Sequence, residues 1–326
     1  MKRAVLFLNL GGPEKPEDVK DFLYRLFEDP EIIRVKFSPL RKFIAWAIST
    51  SRHKTSQKMY AKIGGGSPIR RLTDEQSRAV QAFLENAGRD VLIRTAFTCS
   101  APLVEDVVKE LFDQNVRTFL NFPLYPQYSY TTTKGAIDRT RSAVQKYAPG
   151  AKLVEMGSFP VDPLLLEAHA DIIRQAMKEF SDPKDDRVHL VFSAHSIPKK
   201  LVTELGDPYE KEMHETMKGV LRLLDWKGPV TLSWQSKLGP VEWLGPSTLE
   251  TVRKLGKEGV KRLVVVPISF VTDHIETLYE LDDLIRGFAT EAGVAEYKRV
   301  RGLNNHPLFL EALADLTRSV KDFWQD

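Results

Sequence analysis

The chain has 326 residues, 42% of them hydrophobic and 28% charged, which is the composition of a globular protein long enough for two domains. Its 47 basic and 44 acidic residues give a net charge of +3, which is too balanced to favour nucleic acid as a partner. The single cysteine, Cys99, excludes an intrachain disulfide, a thiolate zinc site and a four-cysteine iron–sulfur cluster.

Strands and helices alternate from the start of the chain. The apolar run 4–8 is too short for a signal peptide and predicts a strand, and no run approaches the ~20 residues of a transmembrane helix. An amphipathic helix is predicted at 17–27. The loop 63–69 holds three consecutive glycines but lacks the spacing of nucleotide-binding loops. Thr73, with Gln76 three residues later, predicts a capped helix start.

Residues 37–63 combine apolar side chains, among them Phe43, Ile44 and Trp46, with a following basic cluster. This pattern is typical of an amphipathic or hairpin-like segment, and two interpretations of it stay open. One is a core helix with a solvated end. The other is contact of residues 37–48 with a membrane surface, where aromatic residues lie at the interface and basic residues meet anionic lipid.

The remaining pattern continues the alternation. Strands are predicted at 90–97, 116–122, 152–157, 188–193, 230–234 and 263–266. Helices are predicted at 102–113, 135–147, 163–180, 208–224, 248–257 and 307–326. This order indicates an α/β fold with a doubly wound parallel sheet in each half. We assign an N-terminal lobe to 1–150, a C-terminal lobe to 151–306, and a C-terminal helix that packs on the lobes to 307–326.

The two halves resemble each other locally. The segment around Pro123 lies over the segment around Pro267, and LNLGGP lies over SAHSIP, which places Leu10 opposite His195. A shared strand–proline–helix pattern also produces such matches by chance. A true duplication predicts two lobes that face each other across a central cleft. Because the first half offers apolar and hydroxyl groups where the second offers histidine and carboxylate, we expect one flat ligand between them.

Three titratable residues, Asp273, His274 and Glu276, follow the buried strand predicted at 263–266. The carboxyl end of a parallel strand is where α/β proteins place their sites. Asp273 and Glu276 also fit a capping box, so a structural interpretation stays open beside the functional one. His195 follows another strand at the same topological position. An imidazole with a carboxylate suits proton transfer or the binding of a divalent transition metal.

Two further features surround these residues. Glu280 and Asp283 continue an acidic ladder from Glu276 along one helix face, although a solvated face has the same spacing. The loop after strand 230–234 contains Trp243 and two Gly-Pro pairs, which predicts either packing between the lobes or a rigid wall for a planar apolar ligand.

Six motifs, in order, resemble those of the ferrochelatase family: NLGGP, YAKIGGGSPI, FPLYPQYS, SAHSIP, WQSKLGPVEWLGP and FVTDHIETLYELD. The resemblance runs from Asn9 to about Leu284. It implies two Rossmann-like lobes around a porphyrin cleft. It also implies insertion of Fe²⁺ into a porphyrin in haem biosynthesis, with release of two protons and without a bound organic cofactor.

The resemblance also implies roles for individual residues. His195 and Glu276 would be the catalytic and metal-site pair, supported by Asp273, His274, Glu280 and Asp283. The porphyrin contacts would be Asn9, Leu10, Ser67, Ile69, Tyr128, Gln235, Ser236, Lys237 and Trp243. A flat macrocycle resists metal entry, so a cleft that bends it would favour the reaction.

The chain departs from the family at three points. Many members carry Arg in the segment matching Phe97-Thr98-Cys99, so a contact to a porphyrin propionate is either missing or supplied elsewhere. A third carboxylate is usual where this chain has Leu284, and Asp283 would replace it if the helix were wound differently. Some members carry a [2Fe–2S] cluster, which one cysteine does not ligate, so we expect no cofactor.

We expect protoporphyrin IX as the substrate, because WQSKLGPVEWLGP resembles the protoporphyrin users and Leu10 replaces a Tyr of the coproporphyrin users. Two alternatives stay open: a chelatase for another tetrapyrrole such as coproporphyrin III, and a non-catalytic carrier of a tetrapyrrole or metal. The expected partners are porphyrin, ferrous iron and a membrane surface contacted through residues 37–48, with no nucleic acid. The expected location is the cytoplasm, with peripheral attachment to the inner face of the cytoplasmic membrane as an option.

Overall fold

The computed structural model describes residues 2–33, 35–182, 187–237 and 239–325. The chain forms two compact units, one made of residues 1–158 with 310–326 and the other of residues 159–309. Each unit contains a four-stranded parallel sheet with helices packed around it, which confirms the predicted α/β class.

The sheet of the first unit has the strand order β2-β1-β3-β4. Its strands are β1 (Lys2–Asn9), β2 (Leu92–Phe97), β3 (Val116–Pro123) and β4 (Lys152–Glu155). Its helices before residue 150 are α1 (Val19–Glu28), α2 (Ser38–Lys62), α3 (Ile69–Asn86), α4 (Val104–Asp113) and α5 (Gly135–Tyr147). A 3₁₀ turn, Pro16–Asp18, precedes α1, and a π turn, Tyr130–Lys134, precedes α5. Residues 4–8 of β1 are fully buried, so both faces of this central strand are covered.

The sheet of the second unit has the equivalent order β6-β5-β7-β8. Its strands are β5 (His189–His195), β6 (Val230–Gln235), β7 (Arg262–Pro267) and β8 (Glu296–Arg299). Its helices are α6 (Pro163–Lys178), α7 (Lys199–Thr203), α8 (Tyr209–Leu223), α9 (Thr248–Lys257) and α10 (Arg286–Glu291). A π-helix, Glu276–Ile285, runs directly into α10.

The internal repeat is visible in the register of the paired strands. Leu8 of β1 pairs with Pro123 of β3, and Ser193 of β5 pairs with Pro267 of β7. These are the residues that the sequence match places over each other. The two sheets therefore share both their strand order and the register of their central pair.

The strand predicted at 152–157 belongs to the first unit and not to the C-terminal lobe. β4 pairs with β3, from Thr118 with Lys152 to Asn121 with Glu155, so the units divide after residue 158 and not after residue 150. A short, partly exposed edge strand carries no sequence signal for the sheet that it joins.

The C-terminal segment predicted as one helix is two: α11 (Pro307–Ser319) and α12 (Lys321–Trp324), separated at Val320. From residue 310 onward it belongs to the first unit, where Arg3 Nε donates to the Phe323 carbonyl at 2.9 Å.

Two helix predictions are corrected as well. α3 begins at Ile69 and not at Thr73, whose hydroxyl donates to the Ile69 carbonyl at 2.7 Å inside the helix. The segment 37–63 is a single helix, α2, and not a hairpin. Among the described residues, no helix is long and apolar enough to cross a membrane.

Candidate active site

His195 and Glu276 form a close pair in the second unit. β5 ends at His195, and its ring Nδ1 lies 2.7 Å from Oε2 of Glu276, the first residue of the π-helix. The backbone N–H of His195 donates to the Ser269 hydroxyl at 3.0 Å, which fixes the end of the strand. The His195 side chain is 36% exposed and that of Glu276 is 18% exposed. The pair is therefore held by hydrogen bonds within the protein, and part of its surface is still accessible to a ligand.

A second carboxylate joins the pair through Ser236. The Ser236 hydroxyl lies 3.0 Å from Oε2 of Glu276 and 2.5 Å from Oε2 of Glu280. A hydroxyl has one proton, so it donates to one carboxylate at a time and links the two. Ser236 has a φ of 64°, the left-handed conformation, in the turn that directs its side chain to this point.

Gln235, the last residue of β6, orients this group. Its Nε2 donates to the Glu280 carboxylate at 3.4 Å and to the Glu276 carbonyl at 3.3 Å. The Ser193 hydroxyl donates to Oε1 of Gln235 at 2.6 Å, and this bond determines which end of the amide faces the carboxylates.

His195, Glu276 and Glu280 each have a pKa that is shifted from its ordinary value. Burial alone would lower the pKa of His195, but the Glu276 and Glu280 carboxylates outweigh it and raise that pKa above its ordinary value. Burial opposes ionisation of Glu276, yet the charge and hydrogen bond of His195 hold its pKa well below the usual range. Burial and the neighbouring Glu276 raise the pKa of Glu280 to about 7. The site therefore holds a strongly basic imidazole hydrogen-bonded to an ionised carboxylate, beside an acid that exchanges a proton near neutral pH.

Asp273 is an anchor of the loop before the helix and contacts neither His195 nor Glu276 by hydrogen bond in the described structure. Its carboxylate accepts hydrogen bonds from four groups at 2.8 to 3.1 Å: Thr277 Oγ1, Asn304 Nδ2, Arg299 Nη1 and the Gly302 N–H. Burial opposes its charge, but Arg299 and the donors lower its pKa below the ordinary value.

His274 is held as a neutral imidazole. Its Nδ1 lies 3.0 Å from the Thr272 carbonyl, an acceptor, so Nδ1 carries the proton. Its Nε2 lies 4.0 Å from Oε1 of Glu276, and burial lowers its pKa. The predicted capping box is wrong: the Glu276 carboxylate faces His195, and the His274 N–H is capped by the Thr277 hydroxyl at 3.0 Å.

The acidic ladder contains Glu276 and Glu280 but does not extend to Asp283. The helix is a π-helix and not an α-helix, but this change of winding does not bring Asp283 into the place of the missing carboxylate. A π-helix has about 4.4 residues per turn, so a residue seven positions on lies across the axis, whereas in an α-helix it completes nearly two turns. Asp283 is accordingly exposed, and Leu284 is 41% exposed.

The other predicted contacts of the second unit lie in the loop after β6. Lys237 is exposed, and Trp243 is partly buried and bridges to Pro198. The Trp243 Nε1 is buried and has no hydrogen-bond partner within the described residues.

The predicted contacts of the first unit are Asn9, Leu10, Ser67, Ile69 and Tyr128. The loops that carry the first four lie together, because the Ser67 N–H donates to the Pro13 carbonyl at 2.7 Å. A Cβ on Gly12 would lie 2.7 Å from the Ser67 Cβ, so this approach requires glycine. Asn9 is buried at the end of β1, where its Oδ1 accepts from the Leu10 N–H at 2.8 Å. The Tyr128 ring meets Tyr130 edge-on, with centroids 6.0 Å apart.

Sequence analysis missed four residues that contact the site: Ser193, Ser269, Phe270 and Arg299. The Phe270 ring lies 6.2 Å from the His195 ring and 4.5 Å from the His274 ring, measured between centroids. Ser269 and Phe270 stand at the start of the loop that carries Asp273, so their position is a usable signal. Arg299 lies in a different strand, and only the tertiary fold brings it to Asp273.

Comparison with known proteins gives matches over nearly the whole chain. The family model described as ferrochelatase matches residues 2–321. A protein named ferrochelatase from Nostoc sp. strain PCC 7120 is 45% identical over 316 residues, 96% of this chain and 81% of the relative. One from Synechococcus sp. strain JA-2-3B'a(2-13) is 44% identical over 320 residues, 97% of this chain and 92% of the relative.

Two solved structures share the fold. SirB from Bacillus subtilis with Fe³⁺ has a TM-score of 0.54 at 16% identity and covers 98% of this chain and 96% of its own. CbiX, described as the terminal enzyme for biosynthesis of siroheme in denitrifying bacteria, has a TM-score of 0.53 at 14% identity and covers 98% and 99%. At these identities the two structures are evidence for the fold alone.

Proposed function

We propose that this chain, which belongs to the ferrochelatase family and is a metal-inserting lyase, inserts Fe²⁺ into protoporphyrin IX to give protohaem and two protons. The observation that carries the proposal is the His195–Glu276 pair at 2.7 Å, linked through Ser236 to Glu280. This group offers a base, a carboxylate ligand and a proton outlet at one place.

The reaction requires removal of two pyrrole protons while iron enters the ring. We assign the acceptor role to His195 in its neutral form, because its raised pKa makes it a stronger base than free imidazole. Glu276 stabilises the imidazolium that results. The proton then passes through Ser236 to Glu280, whose pKa of about 7 lets it release that proton to water and accept the next one.

The same pair suits the metal substrate. An imidazole nitrogen and a carboxylate oxygen are ligands that Fe²⁺ accepts, and two protein ligands leave positions for the pyrrole nitrogens. We propose His195 and Glu276 as the residues that meet the iron, with Asp273 and His274 as their supports. No bound cofactor and no iron–sulfur cluster form part of the proposal.

The porphyrin contacts are proposed from the motifs. In the second unit they are Gln235, Ser236, Lys237 and Trp243, and the unpartnered Trp243 Nε1 offers a donor to a bound ligand. In the first unit they are Asn9, Leu10, Ser67, Ile69 and Tyr128. The positions of Gln235 and Ser236 against the carboxylates favour a role in organising the acid pair as well.

A membrane contact is proposed for the first half of α2. Four large apolar side chains at steps of three residues are 47 to 67% exposed: Phe37, Leu40, Phe43 and Trp46. Exposed apolar clusters of this kind mark binding surfaces, and the exposed Lys36 and Lys42 flank them with positive charge. Because protoporphyrin is poorly soluble, exchange at a membrane surface suits it. We place the protein in the cytoplasm, in peripheral contact with the inner face of the cytoplasmic membrane.

The test of the proposed function compares two substrates under anaerobic conditions. Purified protein and Fe²⁺ are mixed with protoporphyrin IX or coproporphyrin III, and the loss of free-base fluorescence is followed. The proposal predicts multiple turnovers and a higher kcat/KM with protoporphyrin IX. Faster turnover of coproporphyrin III would overturn the substrate assignment, and tight porphyrin binding without turnover would identify a carrier.

A further inference from the structure

Arg299, at the end of β8, joins the loop before the π-helix to the second half of that helix. Its Nη1 donates to Oδ1 of Asp273 at 2.8 Å, and its Nε donates to Oδ2 of Asp282 at 2.7 Å. Asp273 lies three residues before Glu276, and Asp282 lies six residues after it. The Arg299 and Asp273 side chains are 8% and 10% exposed, so their bond is shielded from water, whereas Asp282 is 29% exposed.

The same strand holds the π-helix at a further point. Two residues before Arg299, the Tyr297 hydroxyl donates to the Leu281 carbonyl at 2.8 Å, and Arg286 Nη1 donates to the Tyr297 carbonyl at 2.8 Å. Asp282 also accepts from Nη2 of Arg286 at 3.0 Å. The edge strand β8 thus holds the π-helix through the Leu281 carbonyl and the Asp282 carboxylate.

The winding of this helix determines how the two site carboxylates lie. Glu276 and Glu280 are four residues apart, which is about 400° of rotation in an α-helix and about 330° in a π-helix. Conversion to an α-helix would therefore turn one carboxylate by about 70° relative to the other. The Ser236 hydroxyl, at 3.0 and 2.5 Å from the two, would then no longer reach both.

We propose that Arg299 is a positioning residue for the metal-insertion site. This inference rests on the proposed function. It fixes the π winding by holding Asp273 and Asp282 at a set separation, and it touches neither substrate. The planar guanidinium fork spans two carboxylates at once, whereas the single ammonium of a lysine does not reproduce this geometry. Loss of the fork leaves Glu276 and Glu280 misaligned and slows proton transfer without removing a substrate contact.

Two variants test this proposal, with a matched control. Arg299→Lys keeps the charge and removes the fork, and Asp282→Asn keeps the Arg299–Asp273 bond and weakens the second anchor. Arg262→Lys is the control: Arg262 is 11% exposed and its Nε donates to Glu296 at 2.9 Å, in the same sheet but away from the site. Rates are expressed per mole of bound porphyrin, so that unfolded protein does not lower the measured kcat.

The proposal predicts that Arg299→Lys and Asp282→Asn lower kcat at least about tenfold and change KM for porphyrin less than about twofold. Deuterium exchange of residues 276–285 should become faster in both variants, and Arg262→Lys should leave kcat and this exchange unchanged. Wild-type kcat or wild-type exchange of 276–285 in both variants would overturn the proposal. If the wild-type chain does not insert iron, the proposed function fails, and the exchange data still decide whether Arg299 holds the helix.

Discussion

At the scale of single residues, the candidate site depends on unequal pKa values among neighbours of the same kind. Glu276 and Glu280 both approach the Ser236 hydroxyl, but of the two only Glu276 lies within hydrogen-bond distance of the His195 ring. Glu276 therefore stays ionised, whereas Glu280, partly buried beside a charged carboxylate, holds its proton up to about pH 7. Such a pair of unlike acids is typical of sites that move protons.

The raised pKa of Glu280 predicts an acid limb in the pH profile. Because Glu280 must be ionised to accept a proton from the site, kcat should rise with pH through about 7. In Glu280→Gln kcat should be low, and the limb that remains, from His195, should move to lower pH because the Glu280 carboxylate no longer raises the His195 pKa. Glu291→Gln, which changes an exposed carboxylate at the end of α10, is the control and should keep the wild-type limb. Wild-type kcat with an unmoved limb in Glu280→Gln would contradict the proton route.

His169 of α6 predicts a different pH effect, on stability. Both of its ring nitrogens are buried with no hydrogen-bond partner within the described residues, and burial, with the nearby His306, lowers its pKa to about 4. The unfolded chain takes up this proton at a higher pH than the folded chain does. Stability is therefore full above about pH 6.5 and falls as the pH drops towards 4, by up to about 3 kcal/mol.

The measurement is urea unfolding at pH 7.5 and pH 5 for the wild type and His169→Phe. The variant should lose much less stability than the wild type between these values, because the titrating group is gone. His214→Phe on α8 serves as the control and should behave as the wild type. An equal acid loss in His169→Phe would show that other groups cause it.

At the scale of elements, the sequence predicted the existence of the strands and helices better than their boundaries and their winding. β1 and β7 contain continuous apolar runs, at residues 4–8 and 263–266, and β5 contains a shorter one at 190–192, so their burial was readable. The start of α3 was not readable, because Thr73 and Gln76 have the spacing of a capping box although Thr73 lies four residues inside the helix. The π winding of 276–285 was not readable either, since it depends on Arg299 and Tyr297 in a separate strand.

The candidate site divides in the same way. His195 and Glu276 were found because each lies at a strand end or a helix start, inside a motif. Ser193 and Arg299 act through partners that only the folded sheet supplies. Asp273 was found, but its role as an anchor became clear only from the four donors around it.

The exposed apolar face of α2 predicts binding to lipid vesicles. The double variant Phe43→Ser/Trp46→Ser removes two side chains whose ring centroids lie 5.9 Å apart on this face. It should bind vesicles of phosphatidylcholine with phosphatidylglycerol at least about fivefold more weakly in co-sedimentation, because interfacial burial of both rings is lost. Phe83→Ser, at another exposed aromatic residue, is the control and should bind as the wild type. Equal binding of the double variant would rule out this face.

At the scale of the whole molecule, the repeat is the main organising feature. Each unit has the same strand order and the same register of its central pair, and the chemistry is concentrated at one strand end of the second unit. The sequence match predicted this repeat because its prolines end equivalent strands. It did not predict that the chain returns at residue 310 to complete the first unit.

Because the residues from 310 onward belong to the first unit, a substitution of a buried side chain near the C-terminus should strongly lower the stability of that unit. The Phe323 side chain is fully buried, and its carbonyl accepts from Arg3 Nε at 2.9 Å. Phe323→Ala should lower the free energy of unfolding of the first unit by about 3 to 5 kcal/mol, measured from the urea transition that reports on it. Phe37→Ala, at a residue 67% exposed, should change it by less than about 0.5 kcal/mol. A loss below about 1 kcal/mol in Phe323→Ala would contradict this packing.

The central claim is that His195, held by Glu276, removes protons from the porphyrin as iron enters. The most direct measurement is anaerobic iron insertion into protoporphyrin IX by the wild type, His195→Ala and Glu276→Gln, with His189→Gln as the control at the other end of β5. The account predicts that both site variants lose at least about 100-fold in kcat and that the control stays within about twofold of the wild type. Full turnover by His195→Ala would contradict it.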